Sequence, residues 1–176
     1  LSFAVRHLHT FAGIMVTASH NPAPFNGYKV YGEDGGQMPP ADADALTDYI
    51  RAIENPFTVQ LADLEESKAS GLIEVIGENV DAEYLKEVKG VNINQDLINE
   101  YGRDMKIVYT PLHGTGEMLA RRALAQAGFE AVQVVEAQAV PDPDFSTVKS
   151  PNPENQEAFA LAEELGRKVD ADVLVA

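Results

Sequence analysis

Apolar residues form a continuous run at Phe11–Val16 and a periodic pattern further along the chain. A continuous run is typical of a strand covered on both faces, and the Asn21-Pro22 pair after it predicts an abrupt exit. Beyond Pro40, apolar residues recur at i, i+3, i+4 and i+7 over Leu46–Ile53, which predicts an amphipathic helix. We expect this helix to cover one face of the first sheet.

Weaker patterns follow on either side of that helix. Gly32–Gly36 predicts a hairpin-like turn after a strand at Tyr28–Tyr31. Residues 54 to 102 are the least clearly patterned, with short helices expected around Asp81–Val88 and Gln95–Tyr101. We interpret the second of these helices as the connection between two domains.

The last part of the chain alternates predicted strands with predicted helices. Gly128 and Gly166 are expected to end the helices, and Asn152 is expected to be an N-cap with Pro153 at the first helical position. This alternation predicts a parallel sheet and an α/β fold class: two partial α/β domains with mixed or parallel sheets flanked by helices. The predicted elements are strands at Lys106–Thr110, Ala131–Val135 and Asp172–Ala176, and helices at Glu117–Ala127 and Glu154–Leu165.

Composition narrows the function classes. The 28 acidic and 13 basic side chains give a net charge of −15, which argues against nucleic-acid binding because phosphate backbones are captured by basic patches. No apolar stretch reaches the ~18 residues of a membrane span, so we expect no membrane partner. The absence of cysteine excludes a disulfide framework or a thiolate metal site, and it suits a cytoplasmic location.

A serine loop follows the first predicted strand. Ser19 falls on a tight turn, where its hydroxyl could carry or transfer a group and successive backbone N–H groups could form an anion-binding nest. His20 and Lys29 add protonatable groups at short sequence distance. From the residues alone, the alternative that these are ordinary turn residues at a strand end is equally open.

Two stretches resemble one enzyme family. Gly13–Pro22, continued by Asn26–Tyr31, resembles the active-site segment of the α-D-phosphohexomutases, the phosphoglucomutase and phosphomannomutase superfamily. Tyr109–Gly116 and Pro141–Glu154 resemble the second domain of its bacterial phosphoglucomutase branch. The resemblance covers nearly the whole chain and is weakest between residues 55 and 100.

The resemblance implies a domain organisation and a metal. Residues 1–102 would be the C-terminal part of the first domain, and residues 103–176 the second domain, ending before the metal-binding loop. The implied cofactor is Mg²⁺, bound through the phosphate on Ser19, with its other ligands expected after Ala176. Glucose 1,6-bisphosphate is the implied activator, and a 176-residue piece is expected to be inactive by itself.

The resemblance also implies residue roles. Ser19 would be the phosphoserine that gives its phosphate to a hexose monophosphate and receives one back from the bisphosphate. Lys29 would shuttle a proton with the sugar hydroxyl or steady the transferring phosphate, and with Asn21 it would bind substrate. His20 is grouped with the catalytic residues, either orienting the loop or contacting substrate.

Several alternatives stay open at this stage. The parent enzyme could act on glucose phosphates, or on mannose or amino-sugar phosphates, and a non-catalytic sugar-phosphate-binding module is the alternative from another class. His113 with Gly114–Gly116 could be a phosphate cradle or a close-packed turn. Asp142 and Asp144 are expected to solvate a turn and not to bind metal. The oligomeric state is not predicted.

Overall fold

The computed structural model describes residues 1–176, which form two compact units. The first unit comprises Leu1–Val16 and Tyr28–Asp81, and the second comprises Thr17–Gly27 and Ala82–Ala176. The family-domain assignment of residues 1–102 and 103–176 stays a prediction, because the units are grouped by spatial contact and not by relatedness.

The first unit is built on an antiparallel hairpin. Strands β1 (Ala12–Val16) and β2 (Tyr28–Gly32) pair so that Met15 lies opposite Lys29. Val5 of helix α1 (Ser2–His7) is buried against the hairpin. Its Cγ2 lies only 2.5 Å from the position that a Cβ on Gly13 would take. The helices of this unit are α1 (Ser2–His7), α2 (Pro40–Arg51), α3 (Leu64–Ala69) and the start of α4 (Glu78–Gly90).

The second unit contains strands β3 (Ile107–Tyr109), β4 (Val132–Val134) and β5 (Val173–Val175), and helices α5 (Gln95–Tyr101), α6 (Gly116–Ala127) and α7 (Ala160–Val169). The three strands form a parallel sheet in the order β4-β3-β5. Its core contains the buried residues Val108, Val135 and Ala162, with the apolar face of helix α7 packed against the sheet. Because β3 has a strand on each side and helical cover, its three residues are all buried.

Most predicted elements are present, and the α/β class is confirmed. The hairpin-like turn after β2 closes with a bridge between Tyr31 and Gln37, and helix α6 ends at Gly128 in the left-handed conformation, as expected. The short helix α3 was not predicted, because six residues are too few to show a periodic pattern.

Two predictions about the first sheet are wrong for this chain: that its first strand is covered on both faces, and that the following amphipathic helix covers one face. Ile14 and Val16 in β1 are 55% and 65% exposed, although a continuous apolar run predicted a strand covered on both faces. Helix α2 has no buried residue, so it does not bury an apolar face as predicted. Periodicity reports which residues are apolar, and it does not report whether an element is present to cover them.

The predicted helix Glu154–Leu165 is also corrected. Helix α7 runs through Gly166 to Val169 and ends at Asp170, which has φ 55°. Gly166 allows close packing there, because a Cβ on it would lie 2.7 Å from Cδ2 of Leu174 in β5. Asn152 does not cap this helix: its side chain accepts from the N–H of Glu154 in a local turn, before the chain enters a 3₁₀ turn.

No helix of the chain has both the length and the apolar character needed to cross a bilayer.

Candidate functional site

The loop Thr17–Gly27 presents Ser19 at a tight turn. The N–H of Asn21 donates to the carbonyl oxygen of Ala18 at 3.1 Å, and Ser19 adopts φ 55° within that turn. The left-handed region is uncommon for a residue other than glycine. Ser19 is exposed, so its hydroxyl is offered to solvent and not to the core, as the sequence predicted.

The ends of this loop are tied together by the backbone. The N–H of Thr17 donates to the carbonyl oxygen of Gly27 at 2.9 Å. A side chain at position 27 would clash, because a Cβ there would lie 2.5 Å from the Thr17 carbonyl oxygen. Only glycine therefore allows the two ends to approach this closely.

The anion-binding nest expected around Ser19 is not free for a phosphate. The N–H of Ser19 donates to Oγ1 of Thr17 at 3.0 Å, and the N–H of Asn21 is used in the turn. Two of the three successive N–H groups from Ser19 to Asn21 thus already have acceptors. A phosphate on Ser19 would need other donors.

The other residues expected at this site are placed as follows. His20 and Asn21 are exposed and share the turn with Ser19. Lys29 is half-buried in β2, where it lies opposite Met15. The structure therefore brings Ser19, His20 and Asn21 into one turn, while the assignment of Lys29 to the same site stays a prediction.

A second polar cluster lies at the carboxyl edge of the parallel sheet, and we call its four side chains the polar relay: Thr110, Gln138, Thr147 and His113. Thr110 Oγ1 donates to Oε1 of Gln138 at 2.6 Å, and Nε2 of Gln138 donates to Oγ1 of Thr147 at 3.0 Å. Both ring nitrogens of His113 are also engaged, with Oγ1 of Thr147 and the carbonyl oxygen of Val140, each at 2.8 Å.

The partners of His113 fix its tautomer. The Val140 carbonyl oxygen can only accept, so Nδ1 of His113 carries the proton. In the neutral ring Nε2 then accepts from the Thr147 hydroxyl, whose oxygen accepts from Gln138. Every donor in the polar relay therefore points in one direction, towards Val140. Because no ring nitrogen is left to bind phosphate, the contacts of His113 favour the packing alternative over the phosphate cradle.

The turn Pro111–Gly114 beside the polar relay is strained. Leu112 and His113 adopt φ of 47° and 61°, and both side chains are buried. The turn is held by its own backbone bond of 2.8 Å, by Leu112 N–H to Oγ1 of Thr110, and by His113 N–H to the carbonyl oxygen of Gln138. Residues other than glycine persist in this region only when their surroundings force it.

Helix α6 begins directly after this turn. Thr115 occupies the N-cap position, but its side chain makes no capping hydrogen bond. Gly116 allows close approach, because a Cβ on it would lie 2.9 Å from the hydroxyl of Tyr109. Burial, followed by the charge of Glu117, raises the pKa of the Tyr109 phenol. The glycine is thus explained by packing.

Asp142 organises the loop that carries Thr147. Its carboxylate accepts from the backbone N–H groups of Asp144 and Ser146, at 3.0 and 2.8 Å. These bonds, with that from Ser146 first, lower the pKa of Asp142, and the charge that His113 carries when protonated adds a smaller effect in the same direction. The expectation that this aspartate solvates a turn is confirmed by these contacts.

The residues of this chain do not by themselves fit a magnesium site. No group of three or more His, Cys, Asp or Glu side chains is arranged to hold a metal ion. The loop Thr17–Gly27 contains no carboxylate, whereas Mg²⁺ prefers an octahedral set of oxygen ligands that includes carboxylates.

Three members of the polar relay were not candidates from sequence: Thr110, Gln138 and Thr147. They are ordinary polar residues whose hydrogen-bonded pairs are separated by 28 and 9 positions along the chain, so no local spacing connects them. Only the threonine that ends a predicted buried strand gives a weak signal, because the carboxyl ends of parallel strands are where ligands gather.

The fold and the loop place the chain among α/β proteins with an exposed serine at a loop turn. Comparison with known proteins identifies its family. The family described as phosphoglucomutase/phosphomannomutase, alpha/beta/alpha domain II, matches residues 82–176, and domain I of the same family matches residues 1–57. The chain belongs to the phosphoglucomutase/phosphomannomutase family.

Individual relatives agree with this assignment. The phosphoglucomutase of Staphylococcus epidermidis strain ATCC 12228 is 42% identical over 99% of this chain and 31% of its own length. That of Staphylococcus aureus strain USA300 is 39% identical over 99% of this chain and 30% of its own length. The chain thus spans about a third of these relatives.

A solved structure supports the fold. A protein of Thermus thermophilus assigned as a phosphomannomutase superposes with a TM-score of 0.64 at 26% identity, over 94% of this chain and 33% of that chain.

Proposed function

We propose that the protein to which this chain belongs is a phosphoglucomutase that interconverts glucose 1-phosphate and glucose 6-phosphate. The observation that carries the proposal is the exposed Ser19 hydroxyl, held at a left-handed turn of a loop whose ends are fastened together. Phosphoglucomutases that are 42% and 39% identical over 99% of the chain support the choice of reaction.

The chemistry is a pair of phosphoryl transfers. In the first, the bond between phosphorus and Oγ of Ser19 breaks as a hydroxyl oxygen of the hexose monophosphate bonds to phosphorus. The sugar hydroxyl loses its proton in this step, and Oγ of Ser19 gains one. In the second, Oγ of Ser19 bonds to the phosphorus of the other phosphate of the resulting 1,6-bisphosphate as the bond from that phosphorus to the sugar oxygen breaks. Ser19 loses its hydroxyl proton, and the sugar oxygen gains one. Such transfers depend mainly on in-line positioning and on neutralising charge.

Residue roles follow from that chemistry. Lys29 would either exchange a proton with the sugar hydroxyl or, as the ammonium, steady the transferring phosphate. Asn21 would hydrogen-bond the sugar, and His20 would orient the loop or contact substrate. Fastening Thr17 to Gly27 keeps the reacting oxygen at a fixed place between transfers.

The metal, the activator and the location belong to the same proposal. Mg²⁺ would neutralise charge on the transferring group, and Ser19 is the residue of this chain that would hold it, through its phosphate. Glucose 1,6-bisphosphate would phosphorylate Ser19 and so activate the enzyme. The acidic composition fits a cytoplasmic enzyme with a small anionic substrate and no nucleic-acid partner.

Substitution of Ser19 tests the proposal in the full-length protein. Ser19→Ala is expected to lower turnover of glucose 1-phosphate by about 10³-fold or more, because no other group replaces the phosphate carrier. After incubation with glucose 1,6-bisphosphate, the wild-type peptide that contains Ser19 should gain the mass of one phosphate.

The matched control is Ser70→Ala, which removes another exposed serine hydroxyl and should leave turnover unchanged. Retained turnover in Ser19→Ala, or phosphate on a different peptide, would refute the proposal.

Phosphomannomutase activity is the second candidate, favoured by the similarity to the Thermus thermophilus structure. Relative kcat/KM on glucose 1-phosphate and mannose 1-phosphate decides between the two, and amino-sugar phosphates can be included in the same assay. A non-catalytic sugar-phosphate-binding module is favoured only by the lack of a metal cluster in this chain. That module would bind the sugar phosphate without turning it over.

A further inference from the structure

The polar relay lies at the place where this type of sheet binds ligands. Strand β3 is central, and the chain leaves it first towards β4 on one side and later reaches β5 on the other. In open parallel sheets, ligands bind at the carboxyl ends of the two strands where the order reverses, here β3 and β5. Thr110, the first member of the polar relay, stands there and donates its N–H to the carbonyl oxygen of Val175 at 2.9 Å.

Burying the polar side chains of the relay costs free energy, so their presence in the interior needs an explanation. The side chains of Thr110 and Gln138 are fully buried, and His113 is nearly so. Buried polar groups contribute little net stability compared with well-packed apolar groups, but when all are satisfied they select one conformation. The side chains of the polar relay are hydrogen-bonded to one another and to the carbonyl oxygen of Val140, so its effect is to specify geometry.

The geometry that it specifies is the strained turn Pro111–Gly114. Two buried residues with positive φ, Leu112 and His113, would relax to an ordinary loop if nothing held them. The polar relay supplies that restraint, because His113 is anchored through both ring nitrogens and Leu112 through Oγ1 of Thr110. Oγ1 of Thr147 is the atom that connects Gln138 to His113.

The Ser19 loop belongs to the same compact unit. Thr17–Gly27 groups with residues 82–176, which include the parallel sheet and the polar relay. A restraint on the carboxyl edge of this sheet is therefore a restraint within the unit that presents the proposed phosphate carrier.

We propose that the polar relay positions the carboxyl edge of the parallel sheet for phosphoryl transfer, with Thr147 as the positioning residue that completes it. This inference rests on the proposed function. The relay residues do not touch the reacting atoms in this proposal. They hold the turn Pro111–Gly114 at the strand-order reversal, so that the ligand-binding edge keeps one shape during both transfers.

The decisive variant is Thr147→Val in the full-length protein. Valine matches threonine in shape but leaves Nε2 of both Gln138 and His113 without its partner. Thr147 is itself exposed, so this variant should fold, whereas Gln138→Met would leave the buried Thr110 hydroxyl unpaired and could prevent folding. Thr147→Ser keeps the hydroxyl and is the rescue variant.

The expected result is a separation of kinetic constants. Thr147→Val should lower kcat by about 10- to 100-fold, as loss of a supporting hydrogen bond at an active site typically does, with KM changed by less than about twofold. Thr147→Ser should recover most of kcat. Thr58→Val, which removes another exposed threonine hydroxyl, should change neither constant.

Two outcomes overturn the inference. If Thr147→Val lowers the unfolding temperature but keeps kcat, the polar relay is only structural. If kcat falls equally in Thr147→Val and Thr147→Ser, the hydroxyl is not what matters. Ser19→Ala assayed in parallel separates the two proposals: an inactive Ser19→Ala with an active Thr147→Val removes this inference alone, and an active Ser19→Ala removes the proposed function.

Discussion

Strands β1 and β3 carry similar apolar sequences but reach opposite degrees of burial. β3 has a paired strand on each side and helical cover, and Val108 is completely buried. β1 has one paired strand, and Val16 is 65% exposed. The comparison teaches that an apolar run predicts a strand, whereas burial is decided by which neighbours the chain provides.

Replacing one valine in each strand by aspartate should give the largest difference in stability between β3 and β1. Val108→Asp is expected to cost about 4 kcal/mol or more of the free energy of unfolding, because a carboxylate would be buried without a partner. Val16→Asp should cost under about 1 kcal/mol, since its carboxylate stays in water. Urea unfolding of the 176-residue chain measures both, and similar costs at the two positions would show that β1 is covered.

Adding a methyl group at Gly27, in the loop Thr17–Gly27, should have the next largest effect on the free energy of unfolding. Gly27→Ala is expected to destabilise by about 1–3 kcal/mol, because the new Cβ would clash with the Thr17 carbonyl oxygen. Gly90→Ala, at the end of α4 with open space around it, is the matched control and should be neutral or stabilising by up to about 1 kcal/mol. A neutral Gly27→Ala would contradict the closed-loop geometry.

The smallest expected effect is the contribution of Asp142 to the pH dependence of stability. The pKa of Asp142 is lowered in the folded state, so its carboxylate stabilises the fold above its unfolded-state pKa, and this contribution is lost as pH falls through the folded-state pKa. Asp142→Asn should therefore be less stable than wild type near neutral pH, with a difference that shrinks in acid. Thermal unfolding from about pH 7 down to about pH 2 tests this, and the same difference at every pH would contradict it.

Asp144→Asn is the matched control for that experiment. It leaves the carboxylate of Asp142 and both of its backbone donors in place. Its stability should follow the wild-type protein over the same pH range.

Local patterns were enough to predict most of the fold. Apolar periodicity located the strands and most helices, and the placement of Ser19 on a tight turn followed from the residues around it. The end of α7 was mispredicted because Gly166 is used for packing against Leu174, which no local pattern reports. The exposure of β1 and α2 was mispredicted for the same reason, since cover is a tertiary property.

The candidate site was only partly predictable. Ser19 was identified by a motif, but its positive φ and the engagement of its N–H with Thr17 depend on how the loop closes. The polar relay combines side chains from three separate segments. Leu112 and His113 are left-handed, and no glycine at these positions signals that conformation in the sequence. Long-range hydrogen bonding of this kind leaves no periodic trace.

The one-way order of donors in the polar relay has a consequence for how its positions tolerate change. Removing any single hydroxyl or amide leaves a neighbour unpaired, so each substitution carries a penalty that belongs to the neighbour as much as to itself. Replacing Thr110 and Gln138 together by apolar residues should then cost less than the two separate costs added. A library that varies one position at a time would therefore overstate the separate contribution of each member of the polar relay to stability.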